Sequence, residues 1–170
     1  MIRMLRALAR RDRVQLPIWV FSLALVVAAS ASAVSAEFNT EQDRTNVLRL
    51  ALATPGLLAL RGVPNGSSLG SLVFFQIFAF VAVVAALMNT FLATRHGRAD
   101  EEQGRRELIA SAPIARTLPL TATLILGTLA NLLLAVLVAG AFSLGGLDAA
   151  GAIVAGLALG VTGFAFLGFG

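Results

Sequence analysis

Apolar residues follow one another in four long runs, and polar stretches separate these runs. The runs cover about residues 16–36, 69–93, 118–141 and 150–170. Each holds roughly the 20 residues that a helix needs to cross the hydrocarbon core of a bilayer. A surface helix of a soluble protein would place polar residues along one face, and the runs lack that alternation. The pattern therefore predicts an all-α fold, a polytopic transmembrane helical bundle.

Arginines precede the first run at helical spacing. Arg3, Arg6, Arg10 and Arg13 fall on one face of a helix, with apolar residues elsewhere on it. This pattern is typical of an interfacial amphipathic helix. Alternatively, the arginines only flank the first span as an orientation signal, which requires no helix. Both interpretations place this end of the chain in the cytoplasm.

The first run also resembles a secretory signal peptide. A basic start, an apolar centre and a tail of small residues that ends in Val34-Ser35-Ala36 fit that description, and cleavage would then remove the run. These residues fit both interpretations, a first transmembrane span and a cleaved signal.

The loop at residues 37–68 contains two helix-start signals. Thr40 with Asp43 fits a capping box, and Thr54-Pro55 places proline where a helix starts most easily. We therefore expect two short helices lying on the membrane surface, so the bundle includes interfacial helices. Such a loop either caps a transport path or simply connects two spans.

Composition excludes several function classes. The chain is 58% hydrophobic and only 13% charged, and all 13 basic residues are arginine. No aromatic residues are interleaved with these arginines, which argues against a nucleic-acid partner. Without cysteine, lysine or tyrosine, the chain offers no thiolate metal site and no lysine-dependent phosphate loop. We therefore predict a protein that is not an enzyme and that binds no cofactor itself, and we expect His96 to be a solvated loop residue without a fixed partner.

Arginine counts predict the topology. The N-terminus, the first loop, the second loop and the third loop carry five, three, five and no arginines. The positive-inside rule then places both ends of the chain and the second loop, residues 94–117, in the cytoplasm. The chain is still apolar at Gly170, so we expect these residues to be the front part of a longer multi-pass protein of the plasma membrane.

A few polar residues interrupt the spans. Gln76, Asn89 and Asn131 each need a partner in hydrocarbon, so they serve either helix packing or a substrate path. The spans contain no charged residue of the kind that marks proton relays. Gly156 and Gly160 have the GxxxG spacing that allows close helix approach.

Residues 94–117 form the densely charged segment between the second and third spans. Glu101 with Arg105, and Glu102 with Arg106, are spaced to form i, i+4 ion pairs on a helix. On these residues alone, a solvated connector and a docking element for a partner are equally good interpretations.

Two stretches carry a family resemblance. They read TPGLLALRG from Thr54 to Gly62 and, within Ser68 to Arg116, TRHGRADEEQGRREL. In these stretches and at the start of the third span, the chain resembles the ABC-2 type exporter permeases of the polyketide antibiotic and tetronasin export group in actinobacteria.

The resemblance implies a permease for antibiotic-like or drug-like amphipathic compounds, with ATP and Mg used by a separate ABC ATPase subunit. Its partners would be that ATPase, membrane lipid and the exported small molecule. It also implies that the charged segment is the cytoplasmic coupling loop, with a set of ATPase-contacting residues: Glu101, Glu102, Gly104, Arg105, Arg106 and Glu107. Two other hypotheses are a membrane scaffold that recruits a soluble partner and an ion-coupled secondary transporter.

Overall fold

The computed structural model describes residues 1–97 and 117–169, and the regular structure in these two ranges is α-helical. Four of the helices are long and apolar enough to cross a membrane. They overlap the four apolar runs, and the all-α helical bundle expected from the sequence is confirmed. The helices, numbered in chain order, are α1 (Ile2–Arg11), α2 (Gln15–Glu37), α3 (Glu41–Leu52), α4 (Pro55–Arg61), α5 (Leu69–His96), α6 (Leu118–Leu144) and α7 (Ala149–Leu167).

Four of the five N-terminal arginines lie on a helix. In α1 the arginines at positions 3, 6 and 10 are exposed, whereas Leu8 is buried. Arg13 lies beyond the end of α1, in the turn that leads to α2. The helix packs against α6 and so belongs to the bundle. The alternative, in which the arginines only flank the first span and form no helix, is wrong.

Both helix starts predicted in the first loop are confirmed. The Thr40 side chain accepts a hydrogen bond from the Asp43 backbone N–H at 3.1 Å, which caps α3. Pro55 occupies the first turn of α4, where its missing N–H has no cost. The two short helices contact each other and the first part of α5.

Two central helices organise the bundle. Helices α5 and α6 pack against each other, and each also contacts both α2 and α7. Helix α2 therefore covers one side of the central pair and α7 covers the other. The core between them is built largely from small and branched side chains, including Val27, Ala31, Val73, Val81, Leu134, Val138, Ala155 and Leu159.

Helix α2 is built into this core. Buried residues recur along it from Val20 to Val34, and the Ser35 hydroxyl donates to the Gly145 carbonyl at 2.8 Å. A Cβ added at Gly145 would overlap the Cβ of Ala31, so the end of α2 lies against the turn between α6 and α7.

Two helices extend three residues beyond the C-terminal ends of the apolar runs that predicted them. Helix α5 continues past Ala93 to His96, so it includes the first charged residues of the second loop. Helix α6 continues past Ala141, the end of the third apolar run, to Leu144. The reason is that the Phe142 ring is buried in the core, 6.3 Å from the ring of Phe74.

The chain turns between α6 and α7 within four residues. Gly146 has a φ of 96°, a backbone conformation that favours glycine. Asp148 then caps α7, because its carboxylate accepts a hydrogen bond from the Gly151 N–H at 3.0 Å.

Candidate functional site

The residues assigned to ATPase coupling lie outside the described residues. Glu101, Glu102, Gly104, Arg105, Arg106 and Glu107 belong to this group. The structure does describe the last turn of α5, which leads into that segment. It also describes Thr117, where the chain returns to the bundle.

Asn89 of α5 and Asn131 of α6 form a reciprocal amide pair in the bundle interior. Nδ2 of Asn89 donates to Oδ1 of Asn131 at 3.0 Å, and Nδ2 of Asn131 donates to Oδ1 of Asn89 at 2.6 Å. The side chains also donate within their own helices, to the carbonyls of Ala85 and Gly127, each at 2.9 Å. All four amide N–H donors therefore have partners, as buried amides require.

Helix α7 passes directly over this amide pair at a glycine. A Cβ added at Gly163 would overlap Oδ1 of Asn131 and would lie 2.6 Å from Nδ2 of Asn89. The amide pair therefore lies where three helices meet, and α7 contributes only backbone at that point. We call the pair together with Gly163 the amide junction.

The GxxxG glycines also bring α6 and α7 into close contact. A Cβ at Gly156 would overlap the Ala135 carbonyl oxygen, and a Cβ at Gly160 would lie 3.1 Å from the Cβ of Ala135. Gly163 continues the same seam one turn further on. The sequence pointed to the first two glycines but contained no pattern that singled out the third.

A groove of about 160 Å³ lies on the outer side of this seam. Leu132 and Leu157 line it, together with Val161 and Phe164, and all four side chains are partly exposed. Asn131 also lines the groove, but both of its N–H donors are already used inside the bundle. The groove is therefore an apolar surface that suits hydrocarbon.

Gln76 lies away from the amide junction and contacts the first loop. Its Oε1 accepts a hydrogen bond from Nη1 of Arg61 at 2.5 Å. The Arg61 guanidinium also lies over the Phe75 ring, 5.9 Å from its centroid. The structure thus separates the three polar span residues into one interior pair and one surface contact.

A buried ionic cluster joins the turn between α1 and α2 to the end of α5. The Asp12 carboxylate contacts Nε2 of His96, and its other oxygen lies 3.2 Å from Nη1 of Arg95. The Asp12 and His96 side chains are 2% and 1% exposed, and that of Arg95 is 33% exposed. We call Asp12, Arg95 and His96 the Asp12 cluster.

The expectation that His96 would be a solvated loop residue is wrong. Its carboxylate partner is 84 residues away in sequence, so no local pattern could identify the contact. One signal was present, because Asp12 is the only acidic residue before Glu37 and stands among five arginines. A solitary acid at the edge of an apolar span was therefore a candidate for a specific ion pair.

Comparison with known proteins identifies a similar permease. No protein-family model matches the chain. The multidrug efflux system permease protein Rv1217c of Mycobacterium tuberculosis is 34% identical over 167 residues, and the alignment covers 96% of this chain. The chain spans about 30% of the length of that relative. With its four apolar helices, the chain is a multi-pass membrane protein similar to a permease.

Proposed function

We propose that this chain forms part of the membrane path of an ATP-driven exporter for drug-like amphipathic compounds. The observation that carries the proposal is the similarity to a multidrug efflux permease along 96% of the chain. The compact packing of the four apolar helices is consistent with a structural unit of such a permease. Membership of the polyketide antibiotic and tetronasin export group remains a prediction from the residues of the charged segment.

The energy source belongs to a partner in this proposal. The sequence contains no lysine and hence no lysine-dependent phosphate loop, so ATP hydrolysis is assigned to a separate ATPase subunit that uses Mg. The charged segment would dock on that ATPase through Glu101, Glu102, Arg105 and Arg106. Ion pairs between charged surfaces suit such a contact because they favour one partner and one register over others.

A charge-reversal experiment tests this assignment. The variant carries Glu101→Lys, Glu102→Lys, Arg105→Glu and Arg106→Glu in the full permease, co-expressed with a candidate ABC ATPase from the same organism. We expect the ATPase to be lost on affinity purification of the permease. ATP-dependent uptake of a rhodamine dye into inverted membrane vesicles should also fall to background.

The matched control reverses charges in the first loop instead. Glu41→Lys with Arg49→Glu alters two exposed residues of α3, beyond the opposite end of α2. This control should retain both ATPase binding and dye uptake. If the coupling variant also retains both, the coupling assignment fails.

The same vesicles separate the competing functions. Dye uptake that continues after ATP depletion and stops when the proton gradient is dissipated would support an ion-coupled transporter. A complete permease that binds a soluble partner but never moves dye would support a scaffold. The proposed exporter requires ATP and an intact ATPase together.

A further inference from the structure

The Asp12 cluster joins two parts of the chain that are far apart in sequence. Asp12 lies in the short turn between α1 and α2, whereas Arg95 and His96 belong to the last turn of α5. A second contact runs in parallel, because Nη2 of Arg11 lies 3.5 Å from the Arg95 carbonyl oxygen. A basic side chain at that point is favourable, since carbonyls in the last turn of a helix lack partners within the helix.

The burial of these charges calls for a specific arrangement. A carboxylate that is 2% exposed is costly unless it is paired, and Asp12 has the His96 imidazole hydrogen-bonded to Oδ2 and the Arg95 guanidinium as an ion-pair partner of Oδ1. Among the described residues Oδ1 has no hydrogen-bond partner, so its compensation depends on the charge of Arg95. Removing one partner would leave a buried charge without compensation, which is strongly destabilising. The α1–α2 turn therefore has one favoured position against α5.

This position determines where the charged segment leaves the bundle. The backbone leaves the helical conformation at Gly97, the residue directly after His96. Leu8 of α1 is buried and α1 packs on α6, so the amphipathic helix is attached on two sides. A displacement of the end of α5 would have to move the α1–α2 turn or break the cluster.

We propose that Asp12, Arg95 and His96 are positioning residues that hold the α1–α2 turn, and through it the C-terminal end of α1, at the end of α5, so that the N-terminal helix and the start of the charged segment move as one unit. This structural claim stands without any assumption about transport. Its functional consequence rests on the proposed function: force from an ATPase on the charged segment would reach α1 through the Asp12 cluster.

Hydrogen exchange measured by mass spectrometry tests the structural claim on the full permease in lipid nanodiscs. In the Asp12→Asn variant we expect exchange in α1 and in the last turn of α5 to accelerate by about tenfold or more, because a buried ion pair loses one charge. Exchange in α6 and α7 should remain at the wild-type rate, which also shows that the variant has folded.

Two His96 variants separate the hydrogen bond from simple packing. In His96→Gln, the side-chain amide still places an N–H near the position of Nε2, so we expect slow exchange in α1 to be largely retained. In His96→Leu no donor remains, and α1 should exchange as fast as in Asp12→Asn. Arg49→Gln, which removes an exposed arginine from α3, is the control for loss of one positive charge and should leave α1 unchanged.

Three results would overturn the claim. They are unchanged exchange in α1 of Asp12→Asn, equal acceleration in His96→Gln and His96→Leu, and acceleration that is as large in α7 as in α1. The last result would show that the cluster stabilises the whole bundle and does not specifically stabilise α1.

Transport assays then test the functional consequence. In Asp12→Asn we expect the amount of dye moved per ATP hydrolysed to fall several-fold while the ATPase still co-purifies. Unchanged transport per ATP with faster exchange in α1 would refute that consequence and leave the structural claim intact. Transport that needs no ATPase would instead refute the proposed function.

Discussion

Asn89 and Asn131 are 42 residues apart in sequence, and each donates a side-chain N–H to the amide oxygen of the other. These two reciprocal hydrogen bonds fix the rotation of α5 relative to α6, because neither side chain can rotate without breaking both. Such pairing is favourable within a membrane protein because hydrocarbon offers an amide no other partner.

We predict that the two asparagines are energetically coupled. Asn89→Ala or Asn131→Ala alone should lower the free energy of unfolding by about 1–2 kcal/mol, since each leaves one N–H and the side-chain oxygen of the other amide without their partners. The double variant should cost clearly less than the sum of the two single variants. Unfolding in increasing mole fractions of SDS gives the three values.

Thr162→Val is a suitable control for the loss of a polar group. The Thr162 hydroxyl donates to the Ala158 carbonyl of its own helix, so the change should be small. Additive effects of the two asparagine variants would contradict the coupling. Lost dye uptake with unchanged stability would instead favour a role for these residues in the substrate path.

We predict that α7 requires glycine where it crosses the amide junction. Gly163→Ala should destabilise the bundle by on the order of 1–3 kcal/mol, because the new methyl group overlaps Asn131 and must displace α7 or break the pair. Thermal unfolding monitored by the fluorescence of Trp19, the single tryptophan of this chain, measures the effect.

The same substitution at Gly140 provides the matched control. Apart from its chain neighbours and the adjacent backbone of its own helix, no described atom lies within 4 Å of a Cβ built at Gly140, which also lies within a membrane-spanning helix. Gly140→Ala should therefore change stability by about 1 kcal/mol or less, in the stabilising direction. Equal losses at both glycines would show that packing at the amide junction is not responsible.

We predict that α2 remains attached to the protein. Its small residues, which resemble a signal-peptide cleavage site, are used for packing: Ala31 lies against Gly145, and Ser35 donates to the Gly145 carbonyl. An N-terminal epitope tag should therefore be retained on the membrane-inserted permease, as judged by immunoblot and intact mass.

A secreted reporter with a cleavable signal peptide, carrying the same tag in the same cells, controls for active signal peptidase. The reporter should lose the tag while the permease keeps it. A permease whose N-terminus is Glu37 would refute this prediction and would restore the signal-peptide interpretation.

We predict that Arg61 tethers α4 to the bundle. Arg61→Lys keeps the charge but loses the planar group that lies over Phe75 and bonds to Gln76, a loss of about 1 kcal/mol locally. Hydrogen exchange should accelerate in α4 and stay constant in α6. Arg49→Lys on the neighbouring helix α3 should have no such effect, and an identical response would refute the tether.

The four long helices were predictable because a continuous apolar run of about 20 residues is typical of a membrane-spanning helix and rare in soluble domains. The Thr40 and Pro55 helix starts were predictable because capping depends on neighbours in sequence. It was also evident that Asn89 and Asn131 need hydrogen-bond partners. Whether they bond to each other depends on the relative rotation and depth of α5 and α6. No local pattern encodes these quantities.

The Asp12 cluster and Gly163 show the same limit more clearly. His96 looked like one more residue of a charged loop, and only the extension of α5 by three residues brings it into the bundle. Gly163 looked like any other glycine in a glycine-rich span until the position of the amide pair was known. Leucine, valine and phenylalanine occur on both the buried and the exposed faces of these helices, so hydropathy alone does not identify the interior face.

The length of α5 has a consequence for the electrostatics of the protein. Its 28 residues span about 42 Å, whereas the hydrocarbon core of a bilayer is about 30 Å thick. A typical tilt of about 20° would still leave a projection of roughly 39 Å, so the helix must extend into the headgroup layer. The end with Arg95 and His96 carries the charged residues of the helix, so we expect that end, with Asp12 beside it, to lie at the level of the headgroups.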